Sequence, residues 1–158
     1  MAQDAASSPK SGPSPSCKFV DLQRTFALGH FMISGAGQCM TIRRINAEDG
    51  AEAVGAYVQA LEVTNTTRRV YVSGQAPITA EGTLPSTFKC QSEAVWNNIL
   101  AQLRAADMDA GNIVKATTFL VDRKYREENR DVRMEMLGGH TFALTVVLAG
   151  MFEDGWLL

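Results

Sequence analysis

Apolar and polar positions are distributed differently in the two parts of this chain. The opening stretch MAQDAASSPKSGPSPS holds almost no large apolar side chain, and such a segment cannot offset the entropy of ordering itself. The next residues, CKFVDLQRTFALGHFMISGAGQC, have apolar side chains without a sustained period and lack the basic start and long apolar core of a secretory signal. Residues 1–39 are therefore expected to be an N-terminal extension apart from the domain, disordered over its first 16 residues and then an ordered extension, a partner-binding arm or translated sequence upstream of the natural start, and residues 40–158 a single domain. A weak strand is expected over Thr41–Ile45. VGAYVQALEV (residues 54–63) and RRVYVSGQAP (residues 68–77) are rich in β-branched and aromatic residues and predict adjacent strands. The short polar TNTTRR between them suits a hairpin turn, which makes the pair antiparallel.

The period then changes. Phe88, Gln91, Val95, Ile99 and Leu103 recur at helical spacing, Trp96 and Leu100 widen the stripe, and Ser86 or Thr87 is placed to cap the helix after Pro85. Gly111 falls in the loop beyond. NIVKATTFLVD returns to β-branched residues, so strand, helix and strand in that order imply a crossover onto a parallel neighbour and a mixed sheet. KYREENRDVRMEMLGG predicts a second helix, with Tyr125, Glu128, Val132 and Met136 on its inner face and Arg126, Glu127, Arg130 and Asp131 outside. Gly138 and Gly139 supply its stop. FALTVVLAG, free of charge, reads as a strand; MFEDG is a turn, and WLL a final strand cut short by the chain end.

The order β-β-β-α-β-α-β-β describes an α+β domain, a mixed β-sheet with two helices on one face. No third helix is available for the other face. An oligomer packing sheet against sheet is the economical expectation.

Composition narrows the functions. With 15 basic and 17 acidic residues the net charge is −2, so no general field attracts a phosphate backbone, and the Arg43-Arg44, Arg68-Arg69 and Arg123-Lys124 pairs read as solvated flanks. Nucleic acid is not an expected partner. No apolar run approaches the ~18 residues of a membrane span, so no membrane partner is expected. Cys17, Cys39 and Cys90 are far apart without metal-ligand spacing, which suits free thiols in a reducing cytoplasm, and His30 and His140 stand alone, so no metal is expected.

Gly74 and Pro77 in YVSGQAP point either to a bulge or close backbone approach at a strand end, or to a strand running into a turn. Tyr57, beside Gly55 and Ala56, either faces a cleft or is a structural tyrosine. Paired carboxylates at helical spacing, a phosphate-cradling loop and a nucleophile elbow are all absent from the sequence.

The succession GAYVQA, VYVSGQAP, NIVKATTFLVD, and LGGH followed by ALTVV resembles the Rid family, also called YjgF or L-PSP endoribonuclease, from about Ile42 to Leu158. That resemblance implies a chorismate-mutase-like fold, a homotrimer with an internal barrel core, and ligand clefts between subunits. It further implies that active members are enamine/imine deaminases. These hydrolyse species such as 2-aminoacrylate and 2-iminobutanoate to 2-keto acids, and need no cofactor.

Matched residue by residue, the implied cleft positions are Tyr57, Ser73, Gly74, Gln75, Leu144 and Thr145. Active members carry Pro-Ala-Arg-Ser/Thr before the penultimate strand, and the planar guanidinium there holds the substrate carboxylate. Here the text is Phe142-Ala143-Leu144-Thr145, so a leucine stands in the arginine's place. The commonly matched cysteine is Val146, Asn129 lies about one position out of register, and the family's water-positioning glutamate belongs to a segment beyond Leu158. The expected function is binding of a small, uncharged or weakly charged metabolite in an intersubunit cleft. A divergent enamine/imine hydrolase is the alternative, and the ribonuclease or translation-inhibitor role of the older family name is disfavoured by the charge and the lack of a His pair.

Overall fold

The computed structural model describes residues 40–158 apart from Val54; the expected N-terminal extension, residues 1–39, lies outside the described residues. Six principal elements follow in order: β1 (Thr41–Ile45), β2 (Ala60–Thr64), α1 (Phe88–Ala105), β3 (Lys115–Leu120), α2 (Arg126–Met136) and β4 (Ala143–Leu148).

Local chemistry fixes the helix ends. Thr87, in extended conformation, accepts a hydrogen bond from the Cys90 amide and so satisfies one of the orphan donors of α1. The far end closes by paired reverse bonds, Asp107 N–H to Arg104 O and Met108 N–H to Leu103 O, with Asp107 in the left-handed region at φ 56°. Gly111 plays no part in that stop. It lies in a short 3-10 turn whose Asp109 carboxylate accepts from its amide at 2.8 Å. In α2 the expected glycines do the work: Gly138 at φ 58° and Gly139 at φ 77° donate to Glu135 O and Met134 O.

Phe88, Trp96 and Leu103 of α1 are buried as their spacing predicts. Trp96 and Leu103 join Ile113, Val132, Leu137 and Phe142 in the main core between the helices and the strands. A second cluster of Phe88, Leu120 and Leu158 packs beneath the end of β3. Burial of a large apolar side chain contributes roughly 1.5–3 kcal/mol, so these clusters supply the main attachment of helices to strands. The inner face of α2 differs from expectation. Glu128 is exposed, while Asn129 and Arg133 are buried at 2% and 3% exposure beside Val132.

The strand pairing also corrects the sequence reading. β2 pairs antiparallel with β1, in a register that sets Arg43 opposite Glu62, and not with residues 68–77. β3 and β4, joined by α2, pair in parallel with Ala116 opposite Leu144 and Thr117 opposite Thr145. Parallel and antiparallel pairs therefore both occur, in two two-stranded sheets rather than one continuous mixed sheet. A single parallel bridge, Val58 to Ala143, links them through a Val58 N–H to Phe142 O bond of 3.3 Å.

Residues 68–76 run without regular pairing because polar side chains hold them elsewhere. The Arg68 guanidinium donates to Ala106 O at 2.7 Å, and the Asn98 amide donates to Ala76 O and Ile78 O, so both ends of the segment are pegged to α1. The expected crossover from this segment through α1 is accordingly not formed. WLL is likewise no regular strand: Leu157 O accepts one bond from Val121 N–H, and Leu158 is buried in the second cluster.

Candidate functional site

Ser73, Gly74 and Gln75 lie on the pegged segment. Its walls are β-branched and aromatic (Val70, Tyr71, Val72), yet Tyr71 is 87% exposed. Ser73 and Gln75 line a small cavity of about 340 Å³ with Gln102 of α1. Ser73, Gly74 and Gln75 all border a larger, mainly apolar cavity of about 1050 Å³, whose far walls include Trp96 and Ile99 of α1 and Phe119 of β3. The Gln75 amide turns back onto Ser73 O at 3.1 Å, which holds its carbonyl end free for another donor. Gly74 makes no close backbone approach: a Cβ placed there would meet nothing within 4 Å. YVSGQAP is therefore neither a close backbone approach at Gly74 nor a strand running into a turn, because residues 71–76 are not strand.

Tyr57 is positioned separately. It sits in a bend behind Gly55, whose φ of 122° suits glycine, and its amide donates to Gly55 O at 3.1 Å. The ring is half-buried. The carbonyl before it, Ala56 O, accepts from Arg133 Nη2 at 3.2 Å. The Arg133 guanidinium also stands 5.9 Å from the centre of the Phe142 ring. Burial is the main cause that lowers the Arg133 pKa from its ordinary value, with nearby Arg130 adding to it.

Leu144 is half-buried and packs against the main core. Thr145 is exposed on the opposite side of β4. Tyr57, Leu144 and Thr145 border neither cavity, so one chain brings Ser73–Gln75 together but does not join them to the other three. Sequence reasoning missed Arg133, although its spacing of one turn from Asn129 and its place beside Val132 carried the signal.

The arrangement offers hydroxyl, amide and backbone groups but few proton-transfer groups. His140 Nε2 lies 2.8 Å from Ile113 O, so the ring is committed to the backbone. Among the described residues no group of His, Cys, Asp and Glu could hold a metal ion, and no helix is long and apolar enough to cross a membrane.

The family model described as endoribonuclease L-PSP matches residues 48–157. The chain belongs to the L-PSP, or Rid, family. A RutC family protein of Haemophilus influenzae is 34% identical over 84 residues, covering 52% of this chain and 62% of that relative. The 2-iminobutanoate/2-iminopropanoate deaminase of Escherichia coli is 32% identical over 81 residues, covering 51% of this chain and 61% of the enzyme. The chain thus spans about six-tenths of the length of these curated relatives. Among solved structures, RidA from the Antarctic bacterium Psychrobacter sp. PAMC 21119 matches with TM-score 0.53 at 31% identity, covering 73% of this chain and 92% of that one. The Rid-family protein YyfB of Yersinia pestis, at TM-score 0.64 and 20% identity over 73% and 92% of the two chains, shares the α+β fold.

Proposed function

We propose that this Rid-family chain binds a small metabolite in a cleft between the subunits of a homotrimer, without efficient deaminase activity on 2-iminobutanoate or 2-aminoacrylate. Leu144 carries the reading. It stands where family enzymes place their carboxylate-binding arginine, and it packs against the apolar core, where it cannot pair a carboxylate. Loss of one charged contact in a desolvated pocket typically costs about 2–5 kcal/mol, or roughly thirty- to several-thousand-fold in binding. The separation of Tyr57 from Ser73–Gln75 in one chain supports a cleft completed by a neighbour. So does the exposed apolar set Phe119, Val146, Val147 and Leu148 on β3 and β4.

The deciding assay generates 2-iminobutanoate in situ with a dehydratase and follows 2-oxobutanoate. The expected result is no acceleration over buffer by this protein and a gain on Leu144→Arg in a variant shown to be folded. Turnover by the unsubstituted protein would overturn the reading and favour a divergent imine hydrolase in which Ser73 and backbone groups orient water. Light scattering should give three times the chain mass, and Val147→Glu should lower it. A net charge of −2 speaks against the ribonuclease activity in the family's older name.

A further inference from the structure

Arg133 is the most unusual group in the molecule outside the residues discussed as a cleft. Its side chain is 3% exposed, yet Nε and Nη1 have no hydrogen-bond partner, and only Nη2 is used, on Ala56 O. One turn back on the same helix, Asn129 is 2% exposed and its Oδ1 is also unpartnered. Among the described residues no carboxylate forms an ion pair with Arg133. A buried guanidinium without an anion is among the most costly arrangements a core can hold, and its fork of donors matches two oxygens of one carboxylate.

We propose that Arg133 forms a buried binding site for one small carboxylate-type anion, seated between α2 and the Gly55–Tyr57 bend. Nη1 and the second N–H of Nη2 donate to the anion's two oxygens, while the bond to Ala56 O and the Phe142 ring fix the plane of the guanidinium. Asn129 contributes its amide N–H, after the amide orientation adjusts so that it donates. The lowered Arg133 pKa agrees with a cation that lacks its counter-charge. The proposal stands independently of the intersubunit cleft, because every group it uses belongs to one chain.

The test uses the full chain and sodium formate, with sodium gluconate, too bulky for the site, at matched ionic strength, and formamide as the neutral analogue. A ligand that binds only the folded state raises the melting temperature by mass action. Formate should give a saturable rise, with half-effect at a concentration at least ten times lower than gluconate requires, and formamide should give none. Arg133→Met should abolish the response, and Arg133→Lys, which keeps the charge but not the fork, should shift the half-effect at least tenfold upward. Should Arg133→Met not fold, the lysine variant and the wild-type comparison of formate with formamide still decide the matter. Equal responses to formate and gluconate, no formate response, or an unchanged response in Arg133→Lys would each overturn the proposal. Longer carboxylates such as butanoate acting like formate would identify the site as the headgroup pocket of an organic acid; failure of butanoate with success of formate would identify a small-ion site.

Discussion

Gln91 ties two segments, the loop at Pro85 and the chain at 155–157, to one helix, and its replacement should be among the most damaging single changes in the domain. The side chain is 1% exposed; its amide donates to Pro85 O and Gly155 O, both at 2.9 Å, and its carbonyl accepts from Leu157 N–H at 2.8 Å. Gln91→Leu keeps the size and removes all three bonds. Each is worth about 1 kcal/mol net, and a backbone group left buried without a partner adds about 1–3 kcal/mol. Gly155 is exposed and its carbonyl can return to water, whereas Pro85 and Leu157 are half-buried, so the sum is about 3 kcal/mol. For a domain of this size that is a fall of about 6–12 °C in melting temperature. Gln91→Glu separates bonding from shape, since a carboxylate can accept from Leu157 but opposes two carbonyl oxygens. It should match the leucine variant at neutral pH and regain part of the loss in acid, where protonation restores one donor. Urea unfolding at pH 7 and pH 4 measures both variants against the parent. A Gln91→Leu domain within about 1 kcal/mol of the parent would refute the reasoning, because the three bonds would then be replaceable by water.

Asp107 holds a left-handed conformation at φ 56° that costs an L-residue roughly 1–2 kcal/mol, so Asp107→Gly should raise stability by about 0.5–1 kcal/mol in the same unfolding assay. Asn98→Ala frees Ala76 O and Ile78 O and should cost about 1–2 kcal/mol, with nuclear magnetic resonance shift changes centred on residues 73–78. The Arg43 guanidinium, 2.7 Å from Glu62 and hydrogen-bonded to it, holds that carboxyl below the ordinary value of 4.5. The pair's contribution is therefore present above pH 4.5 and lost as pH falls through the lowered value; in Arg43→Gln, resonance titration should find Glu62 back in its ordinary range.

Much of this fold is legible from local chemistry. Thr87 caps α1 and Gly138–Gly139 end α2 as their residue types dictate, because a cap depends on neighbours within a few positions. β1, β3 and β4 likewise fall where β-branched residues cluster. The pattern of residues 68–77 predicts a paired strand, but Arg68 bonds to Ala106 O and the distant Asn98 to Ala76 O, contacts that no period reveals. On α2 a helical stripe that includes Glu128 was expected inside, but Asn129 and Arg133 turn inward, and polar residues on a buried face are invisible to a pattern of apolar ones. The candidate site was partly legible. Ser73–Gln75 border cavities and Leu144 packs against the core, whereas Tyr57, Leu144 and Thr145 border neither cavity, a separation that no local pattern in the sequence signals.

The single Val58 to Ala143 bridge has a dynamic consequence. Among the described residues one 3.3 Å backbone bond links the β1–β2 and β3–β4 ladders, so the two should open as separate cooperative units. Opening the first leaves the main core between α1, α2 and β4 intact, because of the two strands only Leu61 packs against that core. Amide protons of β1 and β2 should therefore exchange with deuterium through a low-energy partial opening, while those of β3 and β4 wait for unfolding of the whole domain.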